Sequence, residues 1–215
     1  MLIRPALMAR SIDDVAWLWL RTPRLQIIDT TKTIDEKWFR SFKKEWKLPR
    51  SIKKKGNAKA VCIINEMIKK KAFECGNPDR VSELSLQLVK HKITYKGNQQ
   101  LSLASKIAFY VNSEHYLPFD KYSRKGLSKL RRSLKQVGDI GFTDYVTYIK
   151  SFNEMYLHLK HEIKTACEWT WVEPKIAQIG LDPETSIRTE RFRRKILDNY
   201  LMWLGGIDPY CDPVP

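Results

Sequence analysis

The chain contains few cysteines, and they show no pattern that would hold a metal or a disulfide scaffold. Four occur among 215 residues, with no CxxC pair and no repeated spacing. Zinc fingers and small disulfide-rich secreted domains depend on such spacings, so both classes are excluded. We expect reduced thiols, mostly buried, in a cytoplasmic protein. The four are Cys62, Cys75, Cys167 and Cys211.

Long apolar runs and glycine-rich loops are also missing. An apolar stretch at residues 15–20 is too short to span a bilayer and follows Asp13 and Asp14. No glycine-rich phosphate loop, nucleophile elbow or set of kinase motifs occurs. We therefore expect no membrane partner and no cofactor, and the classes defined by those motifs are excluded.

Acidic residues are scarce relative to basic ones. The 24 Asp and Glu residues face 39 Lys and Arg residues, which gives a formal net charge of +15. Such an excess favours DNA or RNA as a partner, because neutralising phosphates releases counterions and steers encounter. The alternative is a solvated basic surface that serves solubility.

Helical periodicity dominates what is present. Apolar residues recur three and four apart, as at Val61, Ile64, Met67 and Ile68. We predict a mainly α-helical fold, a multi-helix orthogonal array or bundle, with residues 25–29 as the best candidate for one short strand. A boundary is predicted near residue 55, between an N-terminal helical segment with a basic helix (1–55) and a main helical domain (56–215). A single undivided domain is the alternative.

Start and stop signals set the predicted helix limits. Thr33 and Glu36 are spaced as a capping box for a helix that runs to about residue 46. Asp120 or Ser123 is predicted to cap a helix that reaches about residue 134. Further helices are predicted at 58–71, 81–89, 100–111, 143–171 and 186–204.

Three basic clusters are candidates for phosphate contact. At 37–55 nine basic residues accompany one acidic residue, a second cluster follows Asp120, and a third opens the last helix. The sequence leaves open whether the three share a face. The predicted nucleic-acid contacts are Lys43, Lys44, Lys47, Lys53, Lys54, Lys55, Lys121, Arg124, Lys125, Arg131, Arg132, Arg191, Arg193 and Arg194.

Four aromatic residues interleave with the first basic cluster. Trp38, Phe39, Phe42 and Trp46 are candidates for stacking on bases, as in proteins that bind single strands. Their spacing of one, three and four residues is also that of a buried helix face, and this interpretation is favoured.

The candidate chemistry lies in ASKIAFYVNSEHYLPFDKYSRKGL, residues 104–127. Its Ser105-Lys106 and Pro118-Phe119-Asp120 resemble the helix-hairpin-helix DNA glycosylases, especially the divergent 8-oxoguanine-glycosylase-like proteins of bacterial defence systems. The resemblance implies that Lys106 is an amine nucleophile and Asp120 a catalytic carboxylate of a DNA N-glycosylase/lyase-like enzyme. The Gly-hydrophobic-Gly turn of that family is replaced here by QLSLAS, residues 100–105.

The residue types suit this chemistry. A lysine attacks a sugar carbon only when unprotonated, a form that burial or nearby positive charge favours. A carboxylate at a helix start keeps its charge through the helix dipole and can stabilise an oxocarbenium-like centre. A flipped base would need an aromatic neighbour, and the candidates are Tyr116, Phe119 and Tyr122.

Two histidine patterns have plainer alternatives. Glu154, His158 and His161 lie on one helix face, where they could bind a transition metal, but surface pairing or packing is favoured and no metal site is predicted. His115 is a candidate proton carrier or phosphate contact, or a residue that packs a turn.

The sequence is therefore consistent with two classes of function. The first is a nucleic-acid-directed protein with DNA N-glycosylase-like activity in a bacterial defence context. The second is a non-enzymatic toxin or regulatory module that binds a nucleic-acid or nucleoprotein partner, with a protein partner in a defence or toxin–antitoxin assembly. The net charge of +15 serves both.

Overall fold

The computed structural model describes residues 4–21, 33–48, 51–134, 142–168, 174 and 189–206. These residues confirm a mainly α-helical fold. They form eight α-helices and, apart from an isolated bridge between Ile52 and Thr94, the described ranges contain no β-strand. The candidate strand at 25–29 lies outside the described residues. The helices are α1 (Pro5–Arg21), α2 (Glu36–Glu45), α3 (Asn57–Lys69), α4 (Asp79–Lys90), α5 (Leu101–Val111), α6 (Lys121–Ser133), α7 (Tyr145–Glu168) and α8 (Glu190–Gly205).

Contacts group the chain into two compact units. The first unit contains Met1–Leu25, Asp120–Thr143 and Thr147–Pro215, and the second contains Gln26–Phe119 and Asp144–Val146. The proposed boundary at residue 55 concerns independent folding and stays a prediction. No described helix is long and apolar enough to cross a membrane.

The first unit is organised by close packing of α6 on α8. Gly126 allows this approach, because a Cβ atom there would lie 1.9 Å from the carbonyl oxygen of Leu201. Beside it, the buried Asp198 carboxylate accepts hydrogen bonds from Ser123 Oγ at 2.7 Å and from Lys195 Nζ at 2.5 Å. A buried ammonium is thus paired with a buried carboxylate, which offsets the cost of desolvating both charges.

The second unit packs α2 to α5 around aliphatic side chains such as Ile64, Leu84 and Ile107, all fully buried. On α2, Phe39 and Phe42 are buried. Trp38 stacks on Phe42 with ring centroids 4.9 Å apart, and Trp46 meets the ring of Tyr110 edge-on. The aromatic residues of the first basic cluster therefore form a packed face, as their helical spacing indicates.

The capping box predicted for α2 is wrong. Asp35 is the N-cap, and its carboxylate accepts the N–H of Trp38 at 2.6 Å. The backbone of Ile34 is instead paired with Asn65 of α3, whose amide accepts its N–H and donates to its carbonyl, both at 2.9 Å. Because that pairing holds residue 34 outside the helix, Thr33 cannot be the cap.

The expectation that the cysteines are mostly buried is also wrong for the described ones. Cys62 and Cys75 are exposed and Cys167 is half-buried. All three are free thiols, and Cys211 lies outside the described residues.

Candidate nucleic-acid interface

A cationic groove of about 610 Å³ opens on the second unit. It lies between the carboxyl-terminal half of α2, the segment that leads into α3, and the turn that follows residue 94. Among the described residues that line it, five are cationic and none is Asp or Glu. The lining residues are Arg40, Lys43, Lys44, Lys47, Ile52, Lys54, Asn57 and Tyr95.

Lys43 is the buried cation of this cationic groove. Its side chain is only 7% exposed, and its Nζ donates to Asn57 Oδ1 at 2.7 Å and lies 5.3 Å from the Phe39 ring centroid. Burial lowers the pKa of the Lys43 ammonium below its usual 10.5, and the nearby Arg40 guanidinium lowers it further. An anion beside Lys43 would relieve both effects.

The other groove cations are held at the surface. Arg40 is exposed and makes an ion pair with Glu36 one turn earlier on α2. Lys44, Lys47 and Lys54 are exposed. Lys47 has a φ of +52°, in the left-handed region, where the chain turns away from α2. Exposed ion pairs contribute little to stability, so Arg40 can exchange Glu36 for a phosphate at a small cost in free energy.

The groove brings together part of the first predicted cluster. Lys43, Lys44, Lys47 and Lys54 line it, whereas Lys53 and Lys55 are not among its lining residues. Lys53 Nζ donates to the carbonyl oxygen of Lys92 at 3.0 Å and so helps to fix the segment before α3.

The second basic cluster lies on α6, and three of its side chains donate hydrogen bonds within the first unit, of which Lys129 is also exposed. Arg124 Nη1 donates to the Phe142 carbonyl at 2.6 Å, Arg131 Nη1 donates to Ser151 Oγ at 2.6 Å, and Lys129 Nζ donates to the Leu204 carbonyl at 2.8 Å. These bonds hold α6 within the first unit. The exposed cations lie along one helix face and are Lys121, Lys125, Lys129 and Arg132.

The α8 cluster is largely part of the first unit's core. Arg194 is 9% exposed, with its guanidinium 5.6 Å from the ring centroid of Phe152 and 5.8 Å from that of Tyr156. This is a cation–π arrangement inside the unit. Arg191 and Arg193 are half-buried.

Lys106 and Asp120 belong to different units. Lys106, in the middle of the buried α5, is 5% exposed; its Nζ lies 3.5 Å from the Trp46 carbonyl oxygen and 5.2 Å from the Trp46 ring centroid. Trp46 is the C-cap of α2, so both contacts stabilise a protonated ammonium. A nucleophile would need the neutral amine.

Of the two caps predicted for α6, Asp120 is the N-cap, and Ser123 lies within the helix. Its Oδ1 accepts the N–H of Tyr122 at 2.8 Å, and its side chain is half-buried. The position at a helix start stabilises the carboxylate, a property that catalysis and capping share. Its catalytic role, like that of Lys106, stays a prediction.

The histidine patterns give no site in the described residues. Glu154, His158 and His161 are exposed on α7, and no group of three or more His, Cys, Asp or Glu side chains within the described ranges could hold a metal ion. The His115 ring packs against Gly76, whose φ is +68° and where an added Cβ would lie 2.7 Å from the ring. His115 thus packs a turn.

Four groove residues were not among the predicted contacts: Arg40, Ile52, Asn57 and Tyr95. Arg40 lies within the first basic cluster, so charge density was its available signal. Asn57 had no signal, because its role depends on Lys43 reaching it from another helix. Tyr95 directly precedes the turn at Lys96-Gly97-Asn98, and an aromatic residue at a basic turn was the available signal.

No family model, curated protein or solved structure matches the chain. The resemblance of residues 104–127 to glycosylases therefore stays a prediction.

Proposed function

We propose that this protein binds nucleic acid, with the phosphate backbone lying in the cationic groove of the second unit. One observation carries the proposal: five cationic side chains surround a concave surface whose described lining contains no acidic residue. Bringing like charges together costs free energy that an anionic ligand offsets. A polyphosphate backbone offsets it best, since each neutralised phosphate also releases counterions.

The groove supplies two kinds of phosphate donor. Arg40 presents a planar guanidinium that can contact two oxygens, while Lys44, Lys47 and Lys54 are point charges. Lys43 lies deeper, hydrogen-bonded to Asn57. We further propose a cytoplasmic location, which the cysteine usage favours, and a protein partner in a defence or toxin–antitoxin assembly, which the family resemblance implies.

The test is binding of a fluorescent 20-nucleotide DNA strand, measured by anisotropy at low salt. The variant Lys44→Glu/Lys54→Glu reverses two exposed groove charges. We expect it to weaken binding by roughly tenfold or more, because both phosphate contacts become repulsive. Equal binding by this variant and wild type would refute the groove as the site.

A matched control separates the groove from net charge. Lys69 and Lys70 are exposed at the far end of α3, about 18 Å along the helix from Asn57. Lys69→Glu/Lys70→Glu makes the same change in charge outside the groove. It should weaken binding less than Lys44→Glu/Lys54→Glu does, because it acts through the long-range field alone.

Base excision by Lys106 and Asp120 is the enzymatic alternative. The burial of Lys106, at 5% exposure, favours it, whereas the contacts of Lys106 with Trp46 favour an ammonium that packs the fold. Incubation with strands that carry damaged bases, followed by borohydride, distinguishes the two. An adduct that is lost in Lys106→Met supports excision, and its absence from wild type supports binding without chemistry.

A further inference from the structure

The exposed aromatic ring of Tyr95 lies on the rim of the cationic groove. Tyr95 is 43% exposed, and among the Phe, Trp and Tyr residues whose burial the structure describes it is the one that is exposed rather than buried or half-buried. Tyr95 lines the same groove as Lys54 and Asn57. A tyrosine ring combines a large apolar face with a polar hydroxyl, which is why tyrosine is enriched at ligand and protein interfaces.

The backbone on both sides of Tyr95 is fixed. Thr94 is 1% exposed and forms the isolated bridge with Ile52, and the Lys53 N–H donates to the Ile93 carbonyl at 2.9 Å. After Tyr95, its carbonyl accepts the N–H of Asn98 at 3.2 Å and closes a short 3-10 turn. The backbone that carries the Tyr95 ring therefore needs little ordering when a ligand binds.

An aromatic side chain in a groove that is lined by cations suits one class of nucleic acid. In a single strand the bases are free to leave one another, so a base can stack on the tyrosine while adjacent phosphates contact the lysines. In a duplex the base faces are covered by their neighbours, and the groove would meet phosphates alone.

We propose that the groove is selective for single-stranded nucleic acid and that Tyr95 is the platform on which one base stacks. This inference rests on the proposed function and specifies its ligand. The lysines supply affinity that falls with salt, and Tyr95 supplies affinity that depends on bases being present and unpaired.

The test compares three probes with equal numbers of phosphates: oligothymidine, an abasic backbone strand, and a hairpin duplex. Wild type should bind oligothymidine about 5- to 150-fold more tightly than the abasic strand, the range that one stacked base confers. Tyr95→Ala should abolish that preference and leave hairpin binding within about twofold. Tyr95→Phe, which keeps an aromatic face, should retain the preference.

Leu86→Ala is the matched control. Leu86 is 52% exposed on α4 of the same unit and is not among the groove residues, so this variant should leave all three affinities unchanged. Thermal unfolding should show that Tyr95→Ala remains folded.

The outcomes separate this inference from the proposed function. Equal binding of oligothymidine and the abasic strand by wild type, or an unchanged preference in Tyr95→Ala, overturns the role of Tyr95. If these results accompany salt-dependent binding that Lys44→Glu/Lys54→Glu weakens, only the inference fails. If no probe binds wild type at low salt, both fail.

Discussion

The Oγ atom of Ser105 accepts a hydrogen bond from the backbone N–H of Phe119 at 2.8 Å, with both residues buried. Ser105 in turn donates to the carbonyl of Ser102 at 3.2 Å. The serine of the Ser-Lys pair thus fixes the Pro-Phe segment on α5 within the second unit. Its partner is a backbone amide, which gives the serine a structural role that the motif alone does not show.

Ser105→Ala removes this buried acceptor from Phe119. We expect a loss of about 1–3 kcal/mol in the free energy of unfolding, the usual cost of removing one partner of a buried hydrogen bond. Urea unfolding measures it. Ser102→Ala, one turn earlier on α5, changes a half-buried side chain and should cost less than about 0.5 kcal/mol. Equal effects of the two variants would contradict the role assigned to Ser105.

Asp120 offers a clean separation of capping from catalysis. Asparagine caps a helix about as well as aspartate, whereas alanine loses the bond to the Tyr122 N–H. We expect Asp120→Ala to lower the free energy of unfolding by about 0.5–2 kcal/mol and Asp120→Asn to leave it nearly unchanged. A catalytic carboxylate would instead make both variants inactive in base release, including the stable one.

The predicted and observed helix limits agree best for α5 and α6. The predicted range 100–111 and the cap at Asp120 match the structure because apolar spacing and caps are local features. The cap of α2 was mispredicted because Thr33 and Asp35 both suit the position. The choice between them depends on Asn65 of α3, which binds the Ile34 backbone.

The groove could be predicted only in part. Charge density identified Lys43, Lys44, Lys47 and Lys54, but the contribution of Tyr95 depends on how the chain returns to Ile52. For Arg194, charge density gave the wrong indication of burial. Its neighbours in sequence are basic, but its guanidinium packs against the aromatic rings of Phe152 and Tyr156 on α7, and no local sequence pattern reveals that packing.

Lys43 predicts a pH dependence of stability. Its pKa in the folded protein lies below the usual 10.5, so between those two values the unfolded chain binds the proton more strongly. The free energy of unfolding contributed by Lys43 therefore rises with pH across that window. Relative to Lys43→Met, wild type should gain stability as the pH approaches 10.5.

Urea unfolding at several pH values from 7 to about 10.5 measures this difference, because groups common to both proteins cancel. Lys44→Met, an exposed lysine on the same helix, is the matched control. The difference in the free energy of unfolding between wild type and Lys43→Met should rise with pH. A difference that stays constant or falls would contradict the burial of the Lys43 ammonium.

Substitution of Gly126 should cause a severe packing defect. In Gly126→Ala the new Cβ would lie 1.9 Å from the Leu201 carbonyl oxygen, so α6 and α8 must separate. Alanine favours a helix over glycine by about 1 kcal/mol, but overpacking should outweigh this and lower the free energy of unfolding by at least about 2 kcal/mol. Lys125→Ala, at the exposed neighbouring position, should remain near wild type. A more stable Gly126→Ala would show that the helices are not in contact there.

The central claim is that the groove lysines neutralise phosphates, and the salt dependence of single-strand binding tests it most directly. For a 20-nucleotide strand, the logarithm of the association constant should fall linearly with the logarithm of the salt concentration. Each phosphate contact contributes about 0.7 to the slope, so Lys44→Gln/Lys54→Gln should reduce it by about 1.4. A variant slope equal to that of wild type would contradict the account.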